Sequence, residues 1–279
     1  MSEAATIPRQ DKLFFAAVGA LALWVAAWGW LVPGAVDWAL PWLVPPLHAR
    51  FLAAMYLSGA TFMAGALLAG SWPTVRVVAP MIGVWTGTLF IVSVLHLADF
   101  DFGRPQAWVW FAAYLAYPLI AAWIAWRMRH NHERGDGPAV SWRLRGYLVA
   151  QGILFVVLAA ALLFFPGSAS TVWPWAISPL LAQIYAAPFL SYGLGSLYAA
   201  RQRVFGEVWL FLLGTALFGI GVLLASVLHW ALFSTANLST WVWFVGFGVL
   251  AIAQSMAVGA TVARGSVHLA PGQQAASEE

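Results

Sequence analysis

The sequence contains no cysteine, which excludes disulfide bonds, thiolate metal sites and cysteine nucleophiles at once. Charge is the next scarcity. Asp, Glu, Lys and Arg make up 8% of the 279 residues, far too few to cover the surface of a water-soluble domain. Lysine occurs once, at Lys12, and the net charge is only +3. That excess lies in short connecting segments, so it bears on membrane orientation and leaves no footprint for nucleic acid. There is no phosphate-binding Gly-Lys loop, no serine nucleophile elbow and no His-Glu-x-x-His. No motif names a reaction or a cofactor, and the loops are too short to hold a soluble catalytic domain.

Apolar residues are what the chain does have: 62% of its positions and a mean hydropathy of +0.82. They fall into runs of about 20 residues, long enough to cross a hydrocarbon layer roughly 30 Å thick. Eight spans are expected, near 13–32, 49–70, 77–97, 107–126, 146–165, 180–200, 208–230 and 241–262. Arg9 and Lys12 before the first run suggest a secretory signal, but the run is long and no small-x-small cleavage site follows, so it reads as a retained span. Placing both termini in the cytoplasm puts eleven basic residues inside and only Arg50 and Arg104 outside. The near-exclusive use of arginine, with abundant Ala and Trp, points to a GC-rich bacterial genome and to its inner, plasma membrane.

The chain repeats itself at a fixed offset of 133 residues. Pro33-Gly34 returns as Pro166-Gly167, Ser93-Val94-Leu95-His96 as Ser226-Val227-Leu228-His229, and Trp108-Val109-Trp110-Phe111 as Trp241-Val242-Trp243-Phe244. A constant offset reports duplicated architecture. The expected fold is an all-α integral membrane bundle of two tandem four-helix repeats. Four spans per copy preserve orientation, so the copies should be related by a pseudo-twofold axis along the membrane normal. The organisation expected is a cytoplasmic segment 1–12, a first repeat 13–126, a cytoplasmic linker 127–145, a second repeat 146–262 and a disordered cytoplasmic tail 263–279.

No Asp, Glu, Lys or Arg falls near the centre of any span, which argues against a proton relay or charged ion path at mid-membrane. Gln151, Gln183 and Gln254 are the notable polar residues there, placed toward span ends. The outer face collects Asp37, His48, Arg50, His96, Asp99, Asp101, Arg104 and His229, together with eleven of the eighteen tryptophans. His96 and His229 occupy equivalent positions, whereas Asp99, Arg104 and Arg50 become Leu232, Asn237 and Gln183 in the second copy. That loss of charge suggests one asymmetric, outward-facing, Trp-lined pocket of Arg50, His96, Asp99, Arg104 and His229, binding or transporting a small-molecule or lipid-like ligand. Two alternatives stand beside it: a redox or metal protein with His96 and His229 as metal or haem ligands, and a structural or assembly subunit without a site. The bilayer is the one partner the composition implies, and oligomeric state is not legible. His130 and His132 read as solvated linker residues, and His268 as a tail residue.

Overall fold

The computed structural model describes residues 6–42 and 44–263, so the expected tail, with Arg264 and His268, lies outside the described residues. Within them, eight helices are long and apolar enough to cross a membrane. They are α1 (Arg9–Leu31), α2 (Pro46–Leu68), α3 (Val78–Leu95, led in by the single turn Trp72–Val75), α4 (Pro105–Arg127), α5 (Trp142–Phe164), α6 (Pro179–Ala199), α7 (Trp209–Leu228) and α8 (Leu238–Ala263). Apolar runs of this length become helices because only a helix satisfies its own backbone in hydrocarbon. Proline sets several boundaries. Pro46, Pro105 and Pro179 open helices, where the missing N–H has no partner to lose. Val32 and Phe165 each precede a proline and leave helical geometry at φ −134°, ψ 62° and φ −131°, ψ 49°. The helices also reach further than hydropathy alone implies. α1 begins at Arg9, and α5 begins at Trp142 because Ser141 Oγ accepts the Leu144 N–H at 3.2 Å.

Two ends can be distinguished. The tryptophan end carries segments 32–42, 44–45, 96–104, 165–178 and 229–237; the linker end carries 69–77, 128–141 and 200–208. Between 50% and 72% of the apolar window of α2, α3, α6 and α7 is buried, against 28–33% for α1, α4, α5 and α8. The first four therefore form an inner group and the others flank it toward lipid. The extensive packings are α1 on α2, α5 on α6, α3 on α4 and α7 on α8, then α2 on α7 and α3 on α6.

Glycine makes the inner crossings close. A Cβ at Gly221 of α7 would lie 2.8 Å from Ala54 Cβ of α2. Further along the same antiparallel pair, Gly214 abuts the Phe62 ring and Gly65 abuts Leu210. On the other side, Gly195 of α6 is filled by Met81 of α3, and Ser191 Oγ donates to the Met81 carbonyl at 2.9 Å. Small residues at the contact let van der Waals packing hold helices together where lipid supplies no hydrophobic drive.

Polar ties repeat along the chain. Trp110 Nε1 donates to Ser93 Oγ at 2.8 Å and Trp243 Nε1 to Ser226 Oγ at 3.0 Å. Trp108 Nε1 reaches the Phe102 carbonyl and Trp241 Nε1 the Thr235 carbonyl, both at 2.9 Å. Other ties are not duplicated. Gln151 and Gln254 sit inside their helices rather than at the ends. Gln254 Nε2 donates to Gln151 Oε1 at 2.7 Å, Gln151 Nε2 donates to Ser196 Oγ at 2.8 Å, and Thr215 Oγ1 donates to Gln254 Oε1. This knot ties α5, α6, α7 and α8. The residues 133 positions earlier are Val18, Ala121, Met63 and Ile82, and Val18, Met63 and Ile82 line a small cavity of about 60 Å³ instead. Tyr56 and Tyr114, whose hydroxyls bond to each other, close that cavity. Replacing Ser226→Ala strands the buried Trp243 indole N–H and is expected to cost about 1 kcal/mol, read as a lower thermal midpoint in detergent. An unchanged midpoint would show that the bond contributes nothing.

Candidate functional site

At the tryptophan end the five residues expected to converge separate into three sets. Arg50, in the first turns of α2, donates from Nη1 to His229 Nε2 at 2.6 Å. His96, at the end of α3, meets Gln183 Oε1 of α6 through Nε2 at 2.5 Å and Asp99 Oδ2 through Nδ1 at 3.1 Å. Arg104 is turned away to Asp37, bonding its carbonyl at 2.7 Å and its carboxylate at 3.1 Å. Gln183 stands 133 residues after Arg50, so each histidine is gripped by an equivalent position on the helix its own helix crosses. The two bonds run in opposite senses. Guanidinium can only donate, so His229 Nε2 must accept; Gln183 presents an oxygen, so His96 Nε2 donates. Both ring nitrogens of His96 face acceptors, and the His229 lone pair is capped by Arg50. Among the described residues no group of three or more His, Asp or Glu could hold a metal ion.

His48 is buried and bonds Tyr185 Oη through Nδ1 at 2.6 Å, part of an aromatic cluster around Phe51. The tryptophans divide by depth. Trp110, Trp173, Trp175 and Trp243 are buried in ring-on-ring contacts, while Trp38, Trp108, Trp230 and Trp241 are exposed. A cleft of about 240 Å³ between α1 and α4 is lined by Trp24, Trp38 and Trp110, and by none of the five expected residues.

The large cavity lies at the other end. It has a volume of about 860 Å³ and is walled by α3, the end of α4, α6, the linker and the segment after α6. Five arginines line it, namely Arg76, Arg129, Arg134, Arg201 and Arg203, with His132 and a single acid, Glu207. Glu207 is only 3% exposed and is fully engaged. Its Oε1 receives Arg76 Nη1 at 3.4 Å and the Gly135 N–H at 3.2 Å; its Oε2 receives the Arg203 N–H at 2.9 Å. Arg76 Nη2 is spent on the Asn131 carbonyl at 3.3 Å and the Glu133 carbonyl at 2.5 Å. The linker is thereby laid against the segment after α6. Val140 N–H bonds the Arg203 carbonyl at 2.9 Å and Gly206 N–H the Asp136 carbonyl at 2.8 Å, with Gly137 supplying the turn at φ 100°.

Arg76 and Glu207 neutralise each other on the cavity wall. The rim is not neutralised: among the described residues the guanidinium groups of Arg134, Arg201 and Arg203 have no hydrogen-bond or ion-pair partner. Arg129 stacks on Trp126 at 4.3 Å and bonds its carbonyl at 2.7 Å, which leaves the rest of its fork free. In the sequence these arginines speak only to orientation, and His132 is solvent-exposed, as expected, at the cavity mouth. Glu207 was the available signal, as the one acid in the short segment 200–208. No family model, no curated protein and no solved structure matches this chain.

Burial, and secondarily the Arg50 charge, hold the His229 imidazole below its usual pKa of about 6.5. A folded pKa below the unfolded one means that the native state binds fewer protons. This contribution is therefore intact above about pH 6.5 and is lost as pH falls toward the folded pKa. The thermal midpoint should drop on acidification through that window and drop less in Arg50→Gln; equal pH profiles for the two proteins would contradict the assignment. Glu207→Ala removes the counter-charge of Arg76 and strands the Gly135 and Arg203 amides, an expected loss of about 3 kcal/mol. Glu207→Gln, which keeps an acceptor, should lose less by chemical or thermal unfolding.

Proposed function

We propose that this chain is a bacterial plasma-membrane protein that binds a small anion-bearing molecule in the linker-end cavity, with the linker end and both termini in the cytoplasm. The eleven-to-two distribution of basic residues supports that orientation. We further propose that the bundle is two tandem four-helix repeats about a pseudo-twofold axis. The Trp110–Ser93 and Trp243–Ser226 bonds and the Arg50–His229 and His96–Gln183 bonds fall at equivalent positions and support the reading. So does the match between the α2–α7 and α3–α6 crossings.

One observation carries the functional reading. A cavity of ligand size, about 860 Å³, gathers Arg134, Arg201 and Arg203, which make no ion pair among the described residues, beside an Arg76–Glu207 pair that is already neutral. Planar guanidinium forks suit carboxylate or phosphate, and cations gathered in one concavity raise the local potential for an anion. The tryptophan-end set has a different reading. The Arg50–His229 and His96–Gln183 bonds fix helix against helix, which supports a role in locking register, while Asp99 bonds the nearby His96 and Arg104 bonds Asp37 between connecting segments. A metal or haem on His96 and His229 would have to displace Arg50 from one and oxygen acceptors from the other.

The test uses purified full-length protein with two probes, inorganic pyrophosphate and dioctanoyl phosphatidylglycerol. At least one should raise the thermal midpoint of the wild type, with an effect that weakens as salt rises, and Arg201→Gln/Arg203→Gln should abolish it. No shift with either probe, or equal shifts in wild type and variant, overturns the reading.

A further inference from the structure

We infer that the occupant of this cavity is an anionic phospholipid, its phosphate held by the arginine rim and an acyl chain laid in a trough between α3 and α6; this rests on the anion-binding reading above. Below the arginines the lining changes character. Pro80 and Val84 of α3 present partly exposed side chains to the cavity beside the buried Val77 and Met81, at the i, i+3, i+4, i+7 spacing that keeps one helix face. Leu194 and Tyr198 of α6 face it as well, one turn apart and one turn below Arg201. From Arg76 to Val84 the trough descends roughly 12 Å along α3 at the helical rise. That takes it from the charged end of the bundle into the apolar part of the span.

This trough is open to lipid. Leu194 and Tyr198 are 41% and 36% exposed although they belong to an inner helix. A soluble anion would satisfy the arginines and leave these apolar walls wetted or empty. A neutral lipid would fill the trough and leave the guanidiniums unpaired. A lipid carrying a phosphodiester satisfies both, and basic concavities between spans at the cytoplasmic side suit such headgroups. Arg129, anchored on Trp126, and the unpartnered Arg201 and Arg203 stand on neighbouring walls of the rim.

The experiment compares three probes on the full chain in a neutral detergent. Dioctanoyl phosphatidylglycerol carries both chemistries, dioctanoyl phosphatidylcholine carries chains on a zwitterion, and glycerol 3-phosphate carries the anion alone. Affinity is read by native mass spectrometry and by thermal shift. The expected result is at least tenfold tighter binding of phosphatidylglycerol than of either other probe, reduced to the phosphatidylcholine level in Arg201→Gln/Arg203→Gln. A second variant, Leu194→Asn, should lower phosphatidylglycerol affinity severalfold. Glycerol 3-phosphate binding as tightly as phosphatidylglycerol overturns the lipid inference and leaves the anion reading standing. Equal binding of the two lipids overturns the headgroup assignment. No binding of any probe overturns both.

Discussion

Two antiparallel crossings, α2 against α7 and α3 against α6, hold this molecule together. Each is close because a glycine on one helix admits a side chain from the other, Gly221 and Gly214 receiving Ala54 and Phe62, and Gly195 receiving Met81. Each is pinned at the tryptophan end by a histidine, bonded to Arg50 in one crossing and to Gln183 in the other. Without lipid-driven association, shape at these contacts supplies the packing energy and the terminal hydrogen bond sets the register. The outer helices then lean on inner partners whose positions are already determined.

The two ends treat charge in opposite ways. At the tryptophan end Arg104 pairs with the Asp37 carboxylate, and Arg50 gives an N–H to the imidazole of His229. At the linker end one buried carboxylate, Glu207, gathers Arg76 and backbone amides, while Arg134, Arg201 and Arg203 make no ion pair among the described residues. A consumed cation stabilises structure; an unconsumed one in a concavity is available to a ligand. The contrast in pairing, more than the number of polar residues, moves the functional reading from one end to the other.

The existence and rough extent of the eight spans were legible from hydropathy, because span length and backbone satisfaction leave little choice. The 133-residue offset also aligned Arg50 with Gln183 and His96 with His229. What it did not reveal is that these positions meet across the halves, since periodicity within a helix says which face is small and polar but not which helix lies against it. The linker-end cavity escaped for another reason. Arginines at that end are expected of any membrane protein, so Arg201 and Arg203 carried no signal beyond orientation. Gln151 and Gln254 lie inside their helices, where each other, Ser196 and Thr215 satisfy amides whose burial would otherwise be costly, and no sequence pattern reveals such partners.

The crossings also set a timetable for assembly. Arg50 and His229 are 179 positions apart. At synthesis rates of about 5–20 residues per second, α2 therefore waits on the order of 10 s or more before its partner emerges. During that wait its glycine-notched, arginine-tipped face has no proper surface to meet. Until then the early helices lack the protein surface that covers this face. Truncation anywhere before α7 would leave the α2 face permanently without its partner.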